Sequence, residues 1–170
     1  MSSKNIVSKV VIGAAGDIMT HNKILETYAT DKGYDFSPIF TSISEYYKQT
    51  DLMFVDLEVP LGGPESGDFA GYPLFNCPDE LIPALKTAGV DVCLTANNHG
   101  NDQGFHGMMR TLDILDKYGI GHLGTRKDSD EAYVMIREIN GIKLGMVGYT
   151  FDTREYTGGS ISINKNELSP

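Results

Sequence analysis

The chain has 170 residues, 41% hydrophobic and 22% charged, with no tryptophan and a formal net charge of −9 at pH 7. That length suits one ordinary domain built on one core. An acidic surface repels phosphate backbones, which argues against non-specific nucleic-acid binding and leaves cation binding open.

No apolar run approaches the ~20 residues that a membrane-spanning helix needs. The opening "MSSKNIVSKVVIGAAG" has too short an apolar run for the core of a signal peptide. The expectation is a cytoplasmic protein, or one whose export segment was removed or lies outside this chain. The two cysteines, Cys77 and Cys93, form no CxxC pattern and no disulfide framework. Cys93 alternates with apolar residues in "VDVCLTA" and reads as a small buried hydrophobe.

In chain order, "SKVVIGAAGD" is a continuous apolar run ending in Gly-Asp, which predicts a strand in a sheet covered on both faces. "HNKILETYAT" predicts a short helix. "FSPIFTSISEYYKQTD" predicts one helix from Ser37, with the serine as N-cap, Pro38 in the first helical position, and Ile39, Phe40, Ile43, Tyr46 and Tyr47 apolar. "DLMFVDLE" is a second strand. "VPLGGPESGDFAGYPLFNC" is a long loop, of the kind that is functional or mobile.

"PDELIPALKTAG" predicts a helix stopped by Gly89 and kinked at Pro83. "VDVCLTA" is the third strand. "GFHGMMRTLDILDKYG" is a helix with Met108, Met109, Leu112 and Leu115 on one face, ended by Gly119. "IGHLG" is a short fourth strand. "AYVMIREI" and "IKLGMVGYT" flank Asn140-Gly141, the strongest short hairpin signal because both turn residues take positive φ. Residues 151–170 read as an irregular tail. The sum is an α/β protein of one domain over 1–170: a mostly parallel sheet flanked by helices, with a C-terminal β-hairpin.

Three strands end in polar punctuation: Asp17 after the first, Asp56 and Glu58 at the second, and Asn97, Asn98 and His99 after the third. In a parallel sheet these carboxyl ends share one edge, where open α/β proteins bind ligands. Carboxylates and an amide oxygen are hard ligands, and histidine suits Zn, Mn or Fe. A carboxylate can bridge two metals about 4 Å apart, clamping both oxygens of a phosphoryl transfer. A neighbouring histidine suits protonation of a leaving group. Each piece alone is also an ordinary turn. Asp102 has two readings, orienting His99 or capping the helix that follows. Among the other histidines, His21 lines the same pocket or starts a helix, His106 is solvated, and His122 lies in a strand near the same edge.

"GDIM", "VDLEVPL" and "FNCPDELIPALKTAGVDVCLTANNHGNDQGFHGMMRTLDILDKYGIGHLG" resemble the CapA-type family of bacterial capsule-synthesis, poly-γ-glutamate biosynthesis proteins, a branch similar to the calcineurin-like metallophosphoesterases. The resemblance runs from about Val10 to Thr150. It implies half of an αββα sandwich, divalent metal ions (Mn, Fe or Zn), and Asp17, Glu58 and Asn98 as metal ligands. His99 and Asp102 are the implied catalytic residues, with Gly104 completing the motif. Met19 stands where the wider superfamily has a histidine, and Asp56 where an asparagine is usual. The family pattern continues into a second half with further histidines, in a His-Trp-Gly-like and a Gly-x-His-Pro-His-like segment. Neither occurs here, so the resemblance implies the N-terminal half of the fold. A half-sheet exposes a face that predicts a homodimer or a covering partner chain.

Two functional readings follow. One is a metal-dependent phosphoesterase-like hydrolase. The other is a non-catalytic component of poly-γ-glutamate capsule synthesis or export, with an incomplete metal site. A flavodoxin-like nucleotide-binding domain is disfavoured, since no GxGxxG or GxxxxGK[ST] follows any strand.

Overall fold

The computed structural model of the chain describes residues 8–128 and 130–153. Its elements in order are β1 (Ile12–Ile18), α1 (Asn22–Tyr28), β2 (Ala29–Thr30), β3 (Gly33–Tyr34), α2 (Ser37–Phe40), α3 (Ser44–Tyr47), β4 (Leu52–Leu57), α4 (Leu81–Ala88), β5 (Val92–Leu94), α5 (Gly104–Lys117), β6 (Gly121–Leu123), β7 (Met135–Ile139) and β8 (Ile142–Met146). A 3₁₀ turn at Pro64–Ser66 lies in the loop after β4. The fold is α/β. From residue 154 on, the expected irregular tail lies outside the described residues.

β1, β4, β5 and β6 form a parallel sheet in that spatial order. Strands added in one direction by right-handed crossovers receive all their helices on the same face. The core obeys this. Met53, Val55, Leu57 and Cys93, on one side of the sheet, pack with Leu81, Ile82 and Leu85 of α4, Leu115 of α5, and Phe36 and Phe40 beside α2. Side chains of the opposite parity, such as Phe54 and Asp56, face the other side.

The β7–β8 hairpin lies on that second side. Met135 and Arg137 lie against Gly121, and Gly148 lies against Leu94. At its tip the Asn140 side chain donates to Lys9 O over 2.9 Å. Asn140 and Gly141 have φ of 53° and 76°, as an Asn-Gly hairpin turn requires.

Three sequence expectations need correction. β1 is not buried on both faces: its exposure alternates, and Ile12 is 50% exposed, because β1 is the edge strand of the described sheet and borders β4 alone. The helix from Ser37 divides into α2 and α3. The hydroxyls of Thr41 and Ser44 donate to Ser37 O and Thr41 O and compete with the helical ladder. Nor is Ser37 its N-cap: it is already helical, and Asp35 Oδ1 accepts its N–H. Pro83 produces no interior break, since α4 begins at Leu81 and leaves Pro83 in the first turn, where an N–H has no helical partner anyway. Gly89 stops α4 in the left-handed conformation at φ 107°.

The loop from Glu58 to Cys77 is tightly held. Leu61 and Phe75 are fully buried. The Leu61 N–H donates to Thr111 Oγ1 at 2.8 Å, and Asn76 Nδ2 donates to Gly63 O at 3.1 Å. Arg110 grips Asp79 with two hydrogen bonds, of 2.6 and 2.9 Å.

Candidate functional site

β1 and β4 bring the first two motifs together through a break in register. Ala15 pairs with Val55, yet Asp17 pairs with Asp56, so Gly16 is an extra residue. Side chains alternate between faces, and one inserted residue switches the face of everything after it. Without the insertion Asp17 would share the helix-side parity of Ala15. With it, Asp17 stands beside Asp56 on the other side, and Glu58 continues the same parity.

Carboxylate oxygens of Asp17, Asp56 and Glu58 lie within 4.8 Å of one another. Burial pushes the Asp56 carboxyl up to about 6, the charge of Asp17 adds to the rise, and a hydrogen bond from Asn97 opposes it. Glu58 is raised by burial, by its hydrogen bond with Asp17 and by the charges of Asp17 and Asp56, while His99 pulls it down. Among the described residues no lysine or arginine forms an ion pair with any of the three. A concentrated group of hard oxygen donors, strained by mutual repulsion, fits a divalent cation.

After β5 the chain folds through successive tight turns. The Asp102 N–H donates to His99 O at 3.0 Å and the Gly104 N–H to Asn101 O at 3.0 Å. Asn97 is buried, and its side-chain amide donates to Asp56 Oδ1 at 2.7 Å and to Leu57 O at 3.0 Å. Asn98, the next residue, is exposed. The two asparagines thus differ: Asn97 ties strand ends together, while Asn98 stands exposed.

His99 Nδ1 lies 2.8 Å from Asp102 Oδ2. With the Asp102 oxygen as acceptor, Nδ1 is the donor of this bond and Nε2 is the ring nitrogen that remains for another partner. The same Asp102 oxygen accepts the Phe75 N–H at 2.9 Å. The helix cap position of α5 is Gln103, with no side-chain cap bond. Of its two readings, Asp102 therefore takes the one that holds His99.

The remaining histidines separate. His21 is exposed and meets the Phe75 ring edge-on, centroids 5.2 Å apart. His106 is exposed on α5. His122 does not share the carboxylate edge. Register sets it beside Cys93 on the helix side, with Nε2 3.6 Å from Asp116 Oδ1 and 3.7 Å from Glu131 Oε1. Both cysteines are free and buried, and burial raises the Cys77 thiol to about 12.

From the sequence Asp56 reads as a neighbour of the ligands, and Asn97, Phe75 and Gln103 carry no assigned role. Asp56 has a readable signal, being two residues before Glu58 on the same strand. Phe75 has none, since nothing periodic marks its loop.

No helix among the described residues is long and apolar enough to cross a membrane. The sequence is 26% identical over 174 residues to a "Capsule biosynthesis protein CapA" of Bacillus anthracis, covering 94% of this chain and 41% of that protein. It is 25% identical over 154 residues to a "PGA biosynthesis protein CapA" of Bacillus subtilis strain 168, covering 89% and 39%. An "Uncharacterized protein y4sH" of Sinorhizobium fredii is 27% identical over 137 residues, covering 77% and 28%. The chain thus spans less than half the length of these curated relatives. The family model described as "Bacterial capsule synthesis protein PGA_cap" matches residues 11–169, and the chain belongs to that bacterial capsule synthesis family.

Proposed function

We propose that the chain carries a metallophosphoesterase-like, divalent-metal-dependent hydrolase site within a protein serving capsule (poly-γ-glutamate) synthesis. The observation that carries this reading is the convergence of the Asp17, Asp56 and Glu58 carboxylates within 4.8 Å at the strand ends. The capsule role follows the family and the printed names of the two Bacillus relatives.

Asp17, Asp56 and Glu58 would hold the ion, with the exposed Asn98 amide oxygen as a further ligand. When bound, a divalent ion supplies Lewis-acid polarisation of a phosphoryl oxygen and an activated water. Asp56 is pinned at one oxygen by Asn97, which leaves the other to bind. His99, with its Nδ1–H held by Asp102, would present Nε2 to the leaving oxygen and, when that nitrogen also carries a proton, would give it up there and return to the neutral Nδ1–H form.

A second reading, a non-catalytic capsule component that only binds the ion, is favoured by the relatives' names, which speak of biosynthesis and not of hydrolysis. In either case the open edge strand β1, with Ile12 at 50% exposure, is covered by a second copy or a partner chain.

Calorimetric titration with Mn²⁺, followed by hydrolysis of p-nitrophenyl and bis-p-nitrophenyl phosphate, tests the proposal. Binding and turnover that both fall in Asn98→Ala support the hydrolase. Binding without turnover leaves the second reading. No binding, with wild type and Asn98→Ala alike, removes the metal site altogether.

A further inference from the structure

His21 is unused by the reading above, yet it is built into the same structure as His99. Phe75 is fully buried, and its ring contacts both imidazoles. His21 meets it at 5.2 Å and 72°, and His99 at 4.7 Å and 83°, both edge-to-face. Each histidine also follows a strand of the parallel sheet, His21 after Asp17 on β1 and His99 after Asn98 beyond β5.

The segment carrying Phe75 is fastened on both sides. Towards His21, Asn22 Oδ1 accepts the Gly71 N–H at 2.7 Å. A Cβ on Gly71 would stand 2.6 Å from Asn22 N and 2.8 Å from His21 Cα, so the two backbones meet where only glycine fits. Towards His99, Asp102 accepts the Phe75 N–H at 2.9 Å and Gln103 Nε2 donates to Phe75 O at 2.8 Å. The spacing of the two imidazoles is therefore set by a clamped loop and not by two independent surface rotamers.

Among the described residues the ring nitrogens of His21 form no hydrogen bond, and the residue is exposed. A phosphate ester approaching a cation held by carboxylates presents further oxygens that need donors. Lys23, the basic residue nearest in sequence to His21, is turned to Glu26 at 3.3 Å with 86% side-chain exposure.

We propose that His21 is an anion-binding residue of this site: with His99, across Phe75, it receives the phosphoryl oxygens of a phosphate-ester substrate. The inference rests on the metal-dependent reading. A neutral imidazole N–H is sufficient for the contact.

The probe is inorganic phosphate, titrated calorimetrically into Mn²⁺-loaded protein, with Mn²⁺ affinity measured separately on every variant. His21→Ala weakens phosphate binding about tenfold, the loss of one hydrogen bond to a charged group. His21→Gln, which keeps an N–H donor, recovers part of it. His106→Ala, an exposed control, binds phosphate as wild type does, and none of the three variants changes Mn²⁺ affinity. Retained Mn²⁺ binding with equal phosphate affinity in wild type and His21→Ala overturns this inference alone, as does a Mn²⁺-loaded wild type that binds no phosphate. Failure of wild type to bind Mn²⁺ overturns the metal reading and this inference with it.

Discussion

Asn97 spans two strand ends with one amide, donating 2.7 Å to Asp56 Oδ1 and 3.0 Å to Leu57 O. Both bonds are sheltered, so removing the donor leaves acceptors that water reaches poorly. Asn97→Ala is expected to cost about 1–3 kcal/mol in urea unfolding. Asn97→Asp costs more in ion-free buffer, because it sets another carboxylate against Asp56. Added Mn²⁺ restores more stability to the aspartate variant than to the alanine variant. Equal rescue of the two would argue that residue 97 does not face the ion's field.

The carboxylate group gives ion-free stability a definite pH dependence. Burial lifts Asp56 from an ordinary value of 3.8 to about 6, and Glu58 is raised in the same direction, by burial first. The folded state then holds protons that the unfolded chain has released, so stability falls as pH rises through this window. The contribution is fully present below the unfolded value and lost above about 6. Against Asp56→Asn, the ion-free wild type should lose about 1 kcal/mol between roughly pH 4 and 7, after allowance for solvent screening at a half-open site. A divalent cation reverses the trend, because it binds the ionised form. Parallel stability profiles for wild type and Asp56→Asn would count against the raised carboxyl.

The alternation of strands and helices was legible because apolar runs are punctuated by Gly, Pro and Asn, as at Gly89, Gly119 and Asn140-Gly141. Burial of β1 was not legible, since an apolar run reads the same in an edge strand as in a central one. Nor was the break between α2 and α3, where hydroxyl groups compete locally with the helix ladder. At the site, Asp17, Glu58, Asn98 and His99 stand out as polar residues ending apolar strands. What brings Asp17 beside Asp56 is the extra residue Gly16, a matter of register between segments far apart in sequence. The Phe75 clamp is likewise a tertiary product, made by the side chains of Asn22, Asp102 and Gln103 on loop backbone groups far from them in sequence.

Two glycines of that region separate steric from conformational need. A Cβ at Gly71 would lie 2.6 Å from Asn22 N, a backbone atom that cannot swing aside, while at Gly16 nothing lies within 4 Å. Gly71→Ala should cost about 1–3 kcal/mol by forcing the loop off His21 and Asn22. Gly16→Ala should change stability by less than about 0.5 kcal/mol, as an open surface substitution does. Thermal unfolding of the pair decides it, and a Gly71→Ala protein as stable as wild type would mean that the loop is not clamped there.

Asp102 holds two partners with one oxygen, the His99 ring at 2.8 Å and the Phe75 N–H at 2.9 Å, and its side chain is only 3% exposed. In Asp102→Ala both partners lose that acceptor, and the Phe75 N–H left unpaired costs the fold about 1–3 kcal/mol. The imidazole loses more. With no carboxylate to hold the proton at Nδ1, the tautomer is no longer fixed and the proton moves towards Nε2. Imidazole nitrogen resonances should therefore show His99 protonated at Nδ1 in wild type and shifted towards Nε2–H in the variant. If the site hydrolyses p-nitrophenyl phosphate with Mn²⁺, kcat should fall about 10²-fold or more, as expected when a general acid is misplaced, with KM changed far less. The resonance assignment stands independently of turnover. An unchanged tautomer together with an unchanged kcat would reduce Asp102 to a brace for Phe75, and a changed tautomer with unchanged kcat would remove His99 from proton transfer.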